Sequence, residues 1–173
     1  VDSTIQTLRR EHAAEPSALN HQRLLAAQER AGDERAGRLL RVLLGTGPVF
    51  QEYLVEAQTF GGGGRITRAV QFGTSARPQP REKLSIQAGA THYCRPRYPL
   101  PYAAYTAWEI AYNRADLPAE VEAWMGQHWE DPEDSWSVAG YVPTETVQRL
   151  FSYLFVEHGE PCSLACERGR GVE

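Results

Sequence analysis

The chain changes character at FGGGGR, residues 60–65. Four consecutive glycines cannot hold a helix, because each has more backbone freedom to lose on ordering than any other residue. Apolar residues before the run recur at helical spacing, and those after it alternate as in strands, so no one regular element crosses it. The run reads as a flexible hinge, 61–65, between a helical segment, 1–60, and an α+β domain, 66–160. A phosphate-cradling loop needs a strand before its glycines and a helix after them. Here the order is reversed, so no nucleotide loop is expected.

On the helical side, STIQTLRREHAAE has Ser3 or Thr4 as a cap and stops before Pro16. SALNHQRLLAAQERAG ends at Gly32, and DERAGRLLRVLLGTG restarts on Asp33. PVFQEYLVEAQTF places Phe50, Tyr53, Leu54 and Ala57 three and four apart, which predicts another helix. The stretch LRREHAAEPSALNHQRLLAAQERAGD resembles one helix-turn-helix unit of the tetratricopeptide kind. No second copy follows, and such arrays need about three units to stand alone. These helices are therefore expected to pack on the remaining domain.

Beyond the glycines, RITRAVQF and KLSIQAGA read as strands, with Leu84, Ile86 and Ala88 on one face. GTSARPQPRE between them is a polar loop. AYTAWEIAYN reads as a third strand with Trp108, Ile110 and Tyr112 towards the core. DLPAEVEAWMGQHW reads as a helix, WEDPEDSW as an acidic loop and SVAGYV as a short strand. PTETVQRLFSYLFVEHG is a strong helix, started at Pro143, stopped at Gly159, with Val147, Leu150, Phe151, Leu154 and Phe155 as its buried stripe. The last residues, 161–173, read as a frayed tail. The fold class expected is α+β: N-terminal helical hairpins, then a small, mostly antiparallel sheet covered by helices.

Charge is placed unevenly. The net charge is −4, but residues 61–100 carry seven basic side chains against Glu82, whereas 101–173 carry four against thirteen acidic ones. Either the halves neutralise one another in the fold, or the basic segment meets an acidic partner. No apolar run approaches the roughly 20 residues that span a bilayer, and no membrane partner is expected. The opening VDSTIQTLRREH has no apolar signal core, and three cysteines are an odd count for a disulfide framework. The expectation is a cytoplasmic protein.

The densest chemistry lies in HYCRPRYPLPYAAYTAWEIAYN, residues 92–113. It belongs to a layout, SIQA, HYC-x-PR, Y-x-A-x-E and YVP-x-E-x-V over residues 84–159, that is similar to small bacterial and phage proteins with no assigned activity. The resemblance implies a shared fold and transfers no function.

Three chemistries are open here. His92 and Cys94, two apart on a strand, point the same way, and a His beside a Cys can make a nucleophilic thiolate, with Glu109 to orient the His. Against a Cys/His enzyme, no oxyanion turn or nucleophile motif is visible, and a buried Cys usually serves as a small apolar residue. His158, Cys162 and Cys166 are spaced four and four, as zinc ligands could be, but Gly159 and Pro161 break a shared helical face and no CxxC occurs. Neither a metal nor another cofactor is expected. Arginines among tyrosines are the third pattern: Arg supplies anion contacts and the rings supply stacking surface, which suits nucleic acid, although the chain's pI of about 5.8 does not. The reading that fits most of this is a non-enzymatic protein that binds another protein. Its surface would be Arg95, Arg97, Tyr98, Tyr102 and Tyr105, with Arg77 and Arg81 beside them. A nucleic-acid-binding protein using the Arg-rich segment 65–97 is the alternative.

Overall fold

A computed structural model describes residues 18–59, 64–73, 82–131 and 136–163. The chain divides into two compact units at Gly47 and Pro48. In the first, α1 runs from Ala18 to Leu43, built mostly of Ala, Leu, Gln, Glu and Arg, which lose little in a helix. The turn expected at Gly32 is absent: the helix continues through it. It stops at Gly45, whose φ of 69° is the left-handed conformation glycine adopts without strain, while Thr46 N–H donates to the Arg41 carbonyl at 2.9 Å. The helix expected over residues 3–15 lies outside the described residues.

The second unit holds a five-stranded antiparallel sheet, order β6-β5-β4-β3-β7. Its strands are β3 (Val70–Phe72), β4 (Glu82–Gln87), β5 (Ala107–Asn113), β6 (Trp136–Pro143) and β7 (Pro161–Ser163). The alternation in the sequence sets its inner face: Leu84, Ile86 and Ala88 from β4 and its end, and Trp108, Ile110 and Tyr112 from β5, are all fully buried. Helix α2 (Ala119–Met125) contributes Val121 and Met125 to the core. Helix α3 (Thr144–His158) lies across β3, β4, β5 and β6, with Val147, Leu150, Phe151, Leu154 and Phe155 buried. The α+β architecture with antiparallel pairing is thus present. The tail departs from expectation, since Pro161–Ser163 adds β7 beside β3.

Two segments differ from their sequence patterns. PVFQEYLVEAQTF is a single 3-10 turn, Phe50–Tyr53, followed by a strand, β1 (Glu56–Thr59). Phe50 is drawn under α3, edge-on to Trp108 at 5.0 Å, and Gln148 on α3 pairs with Phe50 N–H (3.1 Å) and the Pro48 carbonyl (3.0 Å). These tertiary contacts override the local helical period. RITRAVQF is two strands, β2 (Arg65–Thr67) and β3, in different sheets. β1 and β2 form an antiparallel ribbon, so the strands flanking the glycine run pair with each other within this unit.

The ribbon joins the sheet through a side chain. The Gln87 carboxamide accepts from Thr67 N–H (2.8 Å) and donates to the Thr67 carbonyl (3.0 Å), doing for β2 what a strand backbone would do. The Thr67 hydroxyl adds a bond to the Ile86 carbonyl.

Candidate functional site: a basic-aromatic surface

The chain from Ala88 to Thr106 loops out between β4 and β5 and is tied down at several points. Arg65, on β2, is the buried rivet. Its Nε donates to the Ala88 carbonyl at 2.8 Å and its Nη2 to the Leu100 carbonyl at 2.7 Å. Its guanidinium lies 4.2 Å from the Tyr102 ring centre and 5.2 Å from that of Tyr105, and Nη1 meets Glu56 at 3.3 Å. A guanidinium suits this place because one rigid plane can donate in several directions while stacking.

Glu109, on β5, is the second anchor. One carboxylate oxygen meets His92 Nδ1 at 3.0 Å, and the other accepts from Tyr93 N–H at 2.9 Å. His92 Nε2 reaches the Arg65 carbonyl at 2.7 Å. Both ring nitrogens therefore face oxygens, and the ring bridges β5 and β2. Further along, Arg95 exchanges backbone bonds with Ala107, and the Tyr93 carbonyl accepts from Tyr141 N–H at 2.7 Å.

That last bond lies at an irregularity in the sheet. Trp108 pairs with Val142 and Ile110 with Ala139, so Gly140 and Tyr141 together face the single residue Glu109. This is a β-bulge, which re-aims a side chain. Tyr141 has a φ of 53°, a conformation a bulky residue rarely takes. Gly140 is needed for a different reason: a Cβ there would sit 2.8 Å from Tyr93 Cβ and 3.1 Å from a Glu130 carboxylate oxygen.

These ties present an exposed cluster. Arg97 lies 5.7 Å from the centre of the Tyr93 ring, the Tyr93 and Tyr141 rings are 6.0 Å apart, and Arg95 lies 5.9 Å from Tyr141. Tyr93 is 48% exposed, Tyr141 43% and Tyr98 67%. Among the described residues, neither Arg95 nor Arg97 has a carboxylate partner.

The sequence-predicted residues fall into three groups. Arg95, Arg97 and Tyr98 are exposed on this loop. Tyr105, expected at the surface, is instead buried. Its hydroxyl donates to the Tyr98 carbonyl and accepts from Leu100 N–H at 3.1 Å, so it braces the Pro-rich turn. Tyr102 is half-buried against Arg65 and Trp108, and burial pushes its hydroxyl above the usual tyrosine range. Arg77 and Arg81 lie outside the described residues. Tyr93 and Tyr141 were not among the residues predicted for the surface. The signal for Tyr141 was Gly140 inside an otherwise regular strand pattern, which marks a bulge or a close backbone approach.

The cysteine site does not assemble. His92 and Glu109 do pair, but no hydrogen bond among the described residues joins the His92 and Cys94 side chains. Cys94 is 1% exposed. Its thiol faces the carbonyls of Gly89 (3.2 Å) and Pro96 (3.4 Å) and accepts from Gly89 N–H (3.3 Å). Burial pushes the thiol up, against the lowering effect of the Gly89 bond, Arg97 and Arg65. That is the environment of a packed thiol rather than a nucleophile. Among the described residues, no group of three or more His, Cys, Asp or Glu is placed to hold a metal ion. His158 ends α3 and Cys162 lies in β7, while Cys166 is outside the described residues. No helix among the described residues is long and apolar enough to cross a membrane.

No family model, curated protein or solved structure matches the chain.

Proposed function

We propose that the protein is a non-enzymatic module that binds another protein through the surface formed by Tyr93, Arg95, Arg97, Tyr98 and Tyr141. One observation carries the reading: two arginines without carboxylate partners among the described residues and the exposed Tyr93 and Tyr98 sit on a loop tied down by Arg65 and Glu109, with the exposed Tyr141 of β6 beside them. Aromatic and Arg side chains contribute most to protein interfaces, and a fixed loop loses little entropy on binding. The nucleic-acid reading has less support. It counted Arg65 among the phosphate contacts, but that guanidinium is spent on Ala88, Leu100 and Glu56.

The test is capture of partners from a cell extract treated with nuclease, comparing the natural chain with a double variant, Arg95→Glu with Arg97→Glu. Both residues are exposed, so the variant should keep its circular dichroism and unfolding midpoint. It is expected to lose the partners the natural chain retains. A folded double variant that captures the same set refutes this placement of the surface.

A further inference from the structure

We infer that this surface takes an extended acidic peptide, and that Tyr141 is held in its left-handed backbone in order to be displayed to it. The inference rests on the protein-binding reading above and adds the partner's chemistry.

Charge gives the first reason. Arg95 and Arg97 contact ring faces, at 5.9 and 5.7 Å, and those contacts use no N–H donor. Each guanidinium still has the planar set of donors that matches a carboxylate in a two-bond fork. A phosphate backbone would need a longer row of cations, because its affinity comes from neutralising many phosphates at once. The patch has two, Arg95 and Arg97, enough for two carboxylates but short of such a row.

Spacing gives the second. Arg97, Tyr93, Tyr141 and Arg95 form a chain of contacts with steps of 5.7, 6.0 and 5.9 Å. Alternate side chains on one face of an extended peptide stand roughly 6–7 Å apart. Neighbouring groups of the patch can thus meet successive same-face residues, acidic ones at the arginines and apolar ones on the rings.

The backbone gives the third. Asn or Gly would occupy a φ of 53° with far less strain than Tyr. Core packing does not account for the Tyr, since it is 43% exposed and its ring neighbours, Tyr93 and Arg95, are exposed too. A strained, exposed aromatic at a bulge, next to two arginines without carboxylate partners among the described residues, is placed for contact with something outside the chain.

The test uses the full chain and fluorescence anisotropy with three labelled probes: the heptapeptide Glu-Thr-Val-Thr-Val-Thr-Glu, whose β-branched residues favour an extended chain and which carries Glu, Val, Val and Glu on one face, its counterpart with Gln in place of Glu, and an oligothymidine of equal length. The acidic peptide is expected to bind about ten-fold more tightly than either of the others. Tyr141→Asn should keep or raise the unfolding midpoint while weakening the acidic peptide about five-fold, and Tyr141→Phe, which keeps the ring, should retain binding. Arg97→Gln should weaken the acidic peptide but not its Gln counterpart. A Tyr141→Asn protein that binds like the natural chain overturns the display role alone. Equal binding of the two peptides, or of neither, overturns the acidic partner and leaves the protein-binding reading to the capture experiment. Preference for oligothymidine overturns both.

Discussion

Replacing Arg65 with Ala tests whether the proposed binding surface rests on a buried rivet. The change removes two bonds from a charged donor to the carbonyls of Ala88 and Leu100, at 2.8 and 2.7 Å, each contributing about 1.5–3 kcal/mol. It also removes the guanidinium from the Tyr102 ring, a contact of about 1 kcal/mol. The bond to Glu56 adds little, because that side chain is 44% exposed and solvent screens the pair. All these contacts hold one loop and do not add fully, so the expected loss is about 4 kcal/mol. That is a large part of the roughly 5–15 kcal/mol that holds a domain folded. Arg65→Lys keeps the charge but not the fork or the stacking plane, and should lose about 2 kcal/mol. Guanidinium unfolding followed by tryptophan fluorescence measures both, since Trp108 is fully buried beside Tyr102. The midpoint should fall with the slope unchanged, while exposed Arg95→Ala stays within about 0.5 kcal/mol of the natural chain. An Arg65→Ala protein that loses less than about 1 kcal/mol would show that the loop is held by something other than this side chain.

Three further outcomes follow from the structure. Gly140→Ala should destabilise the protein by about 1–3 kcal/mol, read from the unfolding midpoint, because the new methyl meets Tyr93 at its Cβ, which cannot swing aside. Cys94 should alkylate slowly in the folded protein and at the free-thiol rate once unfolded. Its folded value lies above its unfolded one, so its contribution is full below the ordinary thiol range and is lost as pH rises through the raised folded value. Tyr102 shifts the same way at higher pH. Alkaline unfolding should therefore be less steep in Cys94→Ala than in the natural chain.

Strand alternation carried most of the fold. Trp108, Ile110 and Tyr112 are core because their period is two, and the stripe on α3 is core because its period is that of a helix. Contacts between distant segments left no such trace. Nothing local separates Tyr98, which is exposed, from Tyr105, which braces the turn with its hydroxyl. Arg65 and Arg95 are alike in sequence, yet one is enclosed by Ala88, Leu100, Tyr102 and Glu56 and the other is open. The helical spacing in Phe50–Ala57 was real, but pairing with β2 and the pull of α3 on Phe50 decided the outcome. The bulge was foreshadowed by Gly140, though its register and the turn of Tyr141 depend on Glu109 opposite.

The side-chain latch between ribbon and sheet has a consequence in time. β2 is held to β4 mainly through the Gln87 carboxamide, the Thr67 hydroxyl and the Arg65 guanidinium to Ala88. Such a seam can part while the five-stranded sheet stays intact, because local openings need less free energy than global unfolding. Parting it frees the Arg65 side chain and takes the Arg65 carbonyl from His92, so the 92–105 loop loses two of its moorings in one event. The Thr67 amide should then exchange its hydrogen through ribbon opening, sooner than the Ile110 amide at the centre of the sheet. The lifetime of the ordered 92–105 loop would be set by that small clasp rather than by the stability of the fold as a whole.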